Sequence, residues 1–243
     1  MHLIKADHYR AVALVGVPGL VPRPVDIDQT STNFKALRTL RIYRFAPPAV
    51  IDGHAEEDEV YIVVLTGSVD LVMRSENWPD SGASFRLTAP NDREAVACAA
   101  YLPRQAEYQL TPIGSAEVAY ARAKPAGNRA PRILTSAPRV ENSGACVLLE
   151  ESTHAERLRF RLIQIDAGFQ SVAVNPIRHY EEQIETLIHV RTRPVHIAAT
   201  LETKGSPSTS LESWDTIALA PGSNPTLRIS AGSSAVGFIV MAS

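Results

Sequence analysis

The sequence has little cysteine, no long apolar run and almost no net charge. Its two cysteines, Cys98 and Cys146, show no CxxC spacing, which argues against a disulfide framework or a zinc knuckle. No segment approaches the roughly 18 apolar residues of a membrane span, and we see no signal peptide at the start. A net charge of -2 argues against nucleic-acid binding. We therefore expect a cytoplasmic globular protein with neither a membrane nor a nucleic acid as partner.

Signals for long helices are also few. The chain has 17 prolines and 13 glycines spread along it, and it lacks long stretches with the apolar periodicity of a helix. Short runs rich in β-formers are present instead, and they predict an all-β protein. We expect strands at 40–45, 60–65, 69–73, 97–102, 116–121, 158–165, 185–190, 195–199, 216–219, 227–229 and 235–241.

The two halves of the chain repeat one plan. In each half a strand leads to a histidine within an acidic cluster, His54 in the first and His179 in the second, and another strand follows. A proline and a glycine eleven residues apart then precede the last strand, at 103–114 and 221–232. Such self-similarity favours an internal duplication of small β-units over one large sandwich.

A proline-rich stretch separates the two halves. Pro125, Pro131 and Pro138 interrupt it, which is typical of a linker. We therefore predict an N-terminal domain at 1–125, a linker at 126–139 and a C-terminal domain at 140–243.

The first candidate site lies around His54. If the segment is a strand, Glu57 and Glu59 share one face, because alternate residues of a strand point the same way. One imidazole and these carboxylates, closed by Glu107 or Tyr108, form a group suited to acid–base chemistry. The alternative is a solvated acidic loop that leads into a buried strand, and the sequence does not decide between the two.

The second candidate site lies around His179. With Arg178 beside it and Glu185 following, this segment is suited to receive an anion, with Glu185 transferring a proton. Tyr101 is a further candidate for hydrogen bonding to a substrate. The alternative, which we favour, is alternating charge on an exposed edge strand.

Two stretches of the first half resemble the signature motifs of the cupin superfamily. The segment from Gly53 to Gly67, Gly-His-Ala-Glu-Glu-Asp-Glu followed by an apolar strand, is similar to the first motif. The segment Tyr101-Leu-Pro-Arg-Gln-Ala-Glu-Tyr108 is similar to the second. With the duplication, the resemblance implies a bicupin, that is, two tandem jelly-roll barrels from about residue 38 to the end.

The resemblance also implies a metal site, because cupins bind divalent metals through histidines and one glutamate of these motifs. His54 matches the first histidine and Glu59 matches the glutamate, whereas Glu56 and Tyr108 stand where further histidines are expected. The implied ligand set in this chain is His54, Glu57 and Glu59. Both one bound divalent metal ion and no metal at all stay open.

The Leu-Pro-Arg-x-x-x-Tyr stretch at 102–108 resembles the N-terminal cupin of 5-deoxy-glucuronate isomerase and related uronate isomerases. This likeness implies aldose–ketose isomerisation of a small sugar acid or hydroxy-carbonyl compound, and cupins in general lead us to expect a homodimer. The alternative is a non-catalytic bicupin that binds a small molecule or serves assembly. It is favoured by Tyr108 and Thr226, which replace the closing histidine of each half.

Overall fold

The fold was examined in a computed structural model of the chain. The structure describes residues 1–76, 78–141, 145–151, 154–155, 157–166, 171–173, 184–193, 199–203, 208–219, 221, 225–229 and 234–243. Within these ranges it is nearly all β, with one short helix, α1 (Gln29–Thr32). None of the described helical structure is long and apolar enough to cross a membrane.

The strands are numbered in chain order. They are β1 (His2–Ile4), β2 (Ala11–Ala13), β3 (Leu20–Pro22), β4 (Val25–Asp28), β5 (Leu37–Phe45), β6 (Ile51–His54), β7 (Glu59–Thr66), β8 (Ser68–Arg74), β9 (Ser84–Thr88), β10 (Ala97–Leu102), β11 (Glu107–Pro112), β12 (Ala116–Ala123), β13 (Arg132–Thr135), β14 (Arg139–Val140), β15 (Cys146–Glu151), β16 (Leu158–Ile165), β17 (Ser171–Ala173), β18 (Glu185–Arg193), β19 (Ala199–Thr203), β20 (Thr209–Leu211), β21 (Thr216–Leu219), β22 (Pro225–Ile229) and β23 (Ser234–Ala242).

The chain divides into two compact units. The N-terminal unit comprises Asp7–Ser136 and Thr153–Leu158, and the C-terminal unit comprises Met1–Ala6, Ala137–Ser152 and Arg159–Ser243. Each unit contains one larger and one smaller sheet, as expected of a jelly-roll barrel. The predicted fold class, two tandem cupin barrels in an all-β chain, is confirmed.

The N-terminal unit is built from a six-stranded and a four-stranded sheet. Their strand orders are β13-β10-β7-β12-β5-β4 and β6-β11-β8-β9, and β2 and β3 form a separate hairpin. Alternate residues of both sheets fill one core, among them Ile62 of β7, Leu71 of β8 and Leu110 of β11. This alternation is the reason that near-continuous apolar strands such as β7 form here, because both of their faces are buried.

The C-terminal unit repeats the plan. Its sheets have the orders β1-β21-β18-β23-β16-β15-β14 and β17-β22-β19-β20, with Ile188, Ile217 and Ile239 in the core. The first strand of the chain belongs here, since Leu3 pairs with Ile217 in an antiparallel ladder. The linear division proposed from the sequence places Met1–Ala6 in the other domain, because sequence order carries no signal for such a pairing.

The predicted strands agree closely with the structure wherever it describes them. The prediction at 195–199 falls almost wholly outside the described residues, and only Ala199, the first residue of β19, lies within them. The segment predicted as linker contains β13, which pairs with β10 through Ile133 and Leu134. Two apolar residues between prolines are enough to form an edge strand of a sheet. The prediction missed this strand because it considered only the number of prolines in the segment.

Candidate functional site

A small cavity lies within the barrel of the N-terminal unit. Its volume is about 230 Å³, which suits a small metabolite rather than a larger ligand. The lining residues come from the β2–β3 hairpin, β5, β6, β7, β11 and β12: Leu14, Val15, Arg41, Tyr43, Phe45, Ile51, Asp52, His54, Val60, Tyr108, Tyr120 and Arg122. The cavity therefore lies between the two stretches that carry the cupin resemblance.

Three tyrosines dominate the polar part of this lining. The ring of Tyr120 packs edge-on against Tyr43 with centroids 5.4 Å apart, and its centroid lies 6.0 Å from that of Tyr108. The Tyr120 hydroxyl is buried; it interacts with the Tyr108 hydroxyl but has no partner of full hydrogen-bond geometry among the described residues. Burial raises the pKa of Tyr108 to about 12 and raises the pKa of Tyr120 well above its usual value. Both phenols therefore stay protonated and act as hydrogen-bond donors at neutral pH.

Arginines surround the tyrosines. Arg23 donates to the Tyr43 hydroxyl at 3.3 Å and lies over its ring. Arg10, Arg23 and Arg41 all pair with one carboxylate, Asp26. This cluster thus carries two positive charges in excess, which favours a ligand with negative charge or partial negative charge beside Tyr43.

On the opposite side, Arg122 is held by several acceptors. Its guanidinium donates to the Ala55 carbonyl at 2.6 Å and pairs with Glu56 and Asp58. A guanidinium paired with two carboxylates adds little net positive charge to the cavity, and its donors are largely engaged by the protein.

Two titratable side chains of β6 complete the lining. The carboxylate of Asp52 accepts a hydrogen bond from the Gln109 amide at 2.8 Å. The Nδ1 atom of His54 accepts the Glu56 backbone N–H at 2.7 Å, so the neutral ring carries its proton on Nε2. Both residues are exposed and alternate along β6 with Ile51 and Gly53, so they lie at the solvent edge of the cavity rather than in its interior. From that edge Asp52 is able to accept a proton and His54 to donate a hydrogen bond.

Gly53 makes room for Tyr108, its partner in the β6–β11 ladder. A Cβ at Gly53 would lie 2.2 Å from Cζ and 2.4 Å from the hydroxyl oxygen of Tyr108. The absence of a side chain at this position therefore fixes where the Tyr108 phenol lies.

Glu59, predicted as a catalytic and metal-binding residue, is fully buried at the start of β7. Its Oε1 accepts the backbone N–H groups of Arg157 at 2.8 Å and Leu158 at 2.6 Å, and its Oε2 accepts the Tyr101 hydroxyl at 3.2 Å. Neither Glu59 nor Tyr101 is among the described residues that line the cavity. In this arrangement the carboxylate anchors the segment at 157–158.

The residues predicted to hold a metal do not converge. A turn separates β6 from β7, with Glu56 at a φ of 55° and the Asp58 N–H donating to the Ala55 carbonyl. Glu57 therefore does not share a face with Glu59: it is exposed and accepts from the Gln105 amide at 2.7 Å. Within the described part of the chain, no three His, Cys, Asp or Glu side chains are grouped so as to hold a metal ion. His54, Glu57 and Glu59 thus do not fit a metal in this geometry.

The other predicted site residues are scattered. Glu107 is exposed and lies opposite His54 in the β6–β11 ladder, outside the described lining of the cavity, whereas Tyr108 lines it. His179, with its neighbour Arg178, lies outside the described residues. Glu185 is buried at the start of β18, opposite Ala242.

The interpretation of the second candidate site as an exposed edge strand is wrong for the part that lies in β18, whereas 178–183 lie outside the described residues. Strand β18 lies between β21 and β23 in the seven-stranded sheet. His189 on this strand is buried, its Nδ1 lies 3.0 Å from the Thr216 hydroxyl, and Arg191 lies over the Trp214 ring. The polar residues misled the prediction because Glu185 and His189 are buried in the central strand and Arg191 stacks on Trp214.

Sequence reasoning missed Tyr43, Tyr120, Arg41 and Asp52 as site residues. Their signal is the strand alternation, because Arg41, Tyr43 and Phe45 occupy every second position of β5 and all line the cavity. Which face of β5 is the inner one was not evident, since residues of both faces are apolar.

A second, larger cavity of about 410 Å³ lies in the same unit. Its lining is mostly apolar and proline-rich, including Leu20, Pro47 and Pro48. The charged side chains in it, Arg44 and Glu117, pair with each other at 3.2 Å. The smaller cavity, with its three phenols, is therefore the better candidate for chemistry.

Comparison with solved structures shows the same fold in several proteins. An IolB-like protein from Salmonella typhimurium LT2 matches with a TM-score of 0.73 at 16% identity, over 93% of this chain and 91% of that one. Oxalate decarboxylase from Lactobacillus farciminis, in a formate complex, matches with a TM-score of 0.68 at 8% identity, over 99% and 85%. A mutant of the Bacillus subtilis enzyme matches with a TM-score of 0.67 at 9% identity, over 99% and 76%. No curated protein sequence matches the chain.

The structural likenesses are to proteins of such low identity that they establish the fold alone. The family is established by the sequence itself, because the model of the KduI/IolB family matches residues 22–147, more than half of the chain. The matched region contains nearly all of the residues that line the smaller cavity. The chain therefore belongs to the KduI/IolB family, a family of isomerase-like cupins.

Proposed function

We propose that the N-terminal barrel binds a small sugar acid or related hydroxy-carbonyl compound and catalyses its aldose–ketose isomerisation. The observation that carries the proposal is the cavity of about 230 Å³ lined by three phenols, two arginines, one imidazole and one carboxylate. A polyhydroxylated anion needs many hydrogen-bond partners and positive charge in a small space, and this lining supplies both.

The reaction transfers a proton between neighbouring carbons, and the lining contains groups suited to this. Asp52 would remove the proton from the carbon beside the carbonyl, and the C–H electron pair would become the double bond of an enediolate. Tyr108 would donate to the oxygen on which the charge develops, and neutral His54 would donate from Nε2. Return of the proton to the other carbon, with transfer of the hydroxyl proton to the former carbonyl oxygen, completes a reaction without net oxidation.

Incubation with glucuronate or galacturonate in deuterium oxide tests this proposal. Proton NMR should show ketose formation and deuterium at the carbon that exchanges, and the Asp52→Asn variant should lose both. The Glu107→Gln variant is the matched control, because Glu107 is an exposed carboxylate like Asp52, on the neighbouring strand β11, but is not among the described lining residues of the cavity. Absence of exchange and product with every uronate tested contradicts the proposal.

The second candidate function is a non-catalytic small-molecule-binding bicupin. It is favoured by the position of Glu59, the cupin glutamate, which binds backbone amides instead of facing the cavity. Uronate binding without exchange or turnover would support it. The homodimer expected from the resemblance stays a prediction, which light scattering of the purified protein tests.

A further inference from the structure

We propose that Tyr43, Tyr108 and Tyr120 form an oxyanion site that binds the single anionic oxygen of an enolate-like ligand through neutral phenol donors. This inference rests on the proposed function, since it concerns the same cavity. It goes further in naming the chemical group that the cavity is built to bind, and the residues that bind it without a metal.

The first step of the argument is the Tyr120 hydroxyl. Its residue is 6% exposed, and the hydroxyl has no partner of full hydrogen-bond geometry among the described residues, although it lies close enough to the Tyr108 hydroxyl to interact with it. A buried hydroxyl with no better partner costs free energy that a ligand acceptor would recover, so its position in the lining of a cavity indicates such an acceptor.

The second step concerns the positions of the Tyr43 and Tyr108 hydroxyls. The Tyr43 oxygen accepts an N–H from Arg23, which leaves the phenol proton of Tyr43 for another acceptor. The Tyr108 ring lies where only a glycine at position 53 permits it. Three phenol groups thus line one small space, with Tyr43 held by Arg23 and Tyr108 placed against Gly53.

The third step distinguishes an enolate oxygen from a carboxylate. A carboxylate is best bound by an arginine whose paired N–H groups face it. Here Arg41 pairs with Asp26, and Arg122 is held by Ala55, Glu56 and Asp58. Arg41 engages Asp26 only through Nε, so the arginines keep some donors, but the buried donors around Tyr120 are neutral hydroxyls beside the positive cluster at Asp26. That arrangement stabilises charge developing on one oxygen.

A coloured phenol tests the proposal directly. Para-nitrophenol is a delocalised oxyanion when ionised, and its anion is yellow whereas its neutral form is nearly colourless. We expect the anion to bind at least tenfold more tightly than the neutral form, so the bound probe should ionise at a lower pH than the free probe. This readout needs only the unmodified protein and its absorbance across neutral pH.

Conservative variants assign the effect to the phenols. Tyr120→Phe and Tyr108→Phe should each weaken binding of the anion about tenfold and leave binding of the neutral probe nearly unchanged. Tyr9→Phe removes a hydroxyl of the same kind from a residue that is 97% exposed, and it should change nothing.

The outcomes separate this inference from the proposed function. Equal affinity for the neutral probe and the anion, or variants that bind the anion as well as the unmodified protein, overturn the oxyanion site. Binding of glucuronate without binding of the probe overturns the oxyanion site and leaves the proposed function standing. Failure of both to bind overturns both.

Discussion

Replacement of Glu59 by alanine removes a buried carboxylate that accepts three hydrogen bonds. The variant leaves the N–H groups of Arg157 and Leu158 and the Tyr101 hydroxyl without this acceptor. A buried donor left unsatisfied costs about 1–3 kcal/mol, and the two backbone donors cannot turn to solvent without moving the chain. We therefore expect Glu59→Ala to lower the free energy of unfolding by about 3–5 kcal/mol, a large share of a typical domain's stability.

Urea denaturation followed by circular dichroism measures this change. Glu59→Gln retains an oxygen for the two N–H groups and places an amide toward Tyr101, whose hydroxyl is able to accept, so it should cost only about 1 kcal/mol. Glu57→Ala is the matched control, because its exposed carboxylate accepts only from the Gln105 amide, and it should change stability by less than about 0.5 kcal/mol.

A different pattern would refute the anchoring role of Glu59. If Glu59→Ala is as stable as Glu57→Ala, the hydrogen bonds to 157–158 do not stabilise the fold. If a divalent metal stabilises the unmodified protein and Glu59→Gln abolishes that effect, the carboxylate is a ligand and the reasoning from its contacts is wrong.

Two further predictions concern buried groups. Burial lowers the pKa of His189 from 6.5 to about 3, so as the pH falls the unfolded chain takes up this proton before the folded chain does. The contribution of His189 to the free energy of unfolding is therefore complete above pH 6.5 and is lost progressively toward pH 3. Near pH 5 the loss is about 2 kcal/mol. In urea denaturation at several pH values, His189→Gln should flatten this dependence, and an unchanged slope in that variant contradicts the assignment. Gly53→Ala should displace the Tyr108 ring by about 1 Å or more, because the new Cβ would lie 2.2 Å from Cζ of Tyr108. Uronate binding measured by calorimetry should then weaken about tenfold. Unchanged affinity would show that the position of the Tyr108 phenol does not affect binding.

The fold was largely predictable because strand periodicity and the repeated plan are local features. Runs such as 60–65 and 158–165 fall within or coincide with β7 and β16. The pairing of β1 with β21 was not predictable, since it joins residues that are more than 200 positions apart. The central position of β18 was missed for the same reason: strand order in a sheet depends on partners that the local sequence does not name.

The site was predictable in place but not in detail. The stretches that carry the cupin resemblance contribute His54 and Tyr108 to the lining of the candidate cavity. The carboxylate of Glu59 was assigned to chemistry, although a left-handed residue at Glu56 turns the chain and separates it from Glu57. A four-residue turn between two strands is enough to send neighbouring carboxylates in different directions, and their spacing alone does not reveal it.

The most direct test of the account is the affinity of the chain for glucuronate, measured by calorimetry in the unmodified protein, Tyr120→Phe and Tyr9→Phe. If the phenol-lined cavity is the ligand site, the unmodified protein and Tyr9→Phe bind alike and Tyr120→Phe binds about tenfold more weakly. Equal affinity in all three proteins would show that the ligand binds elsewhere and would contradict the assignment of this cavity.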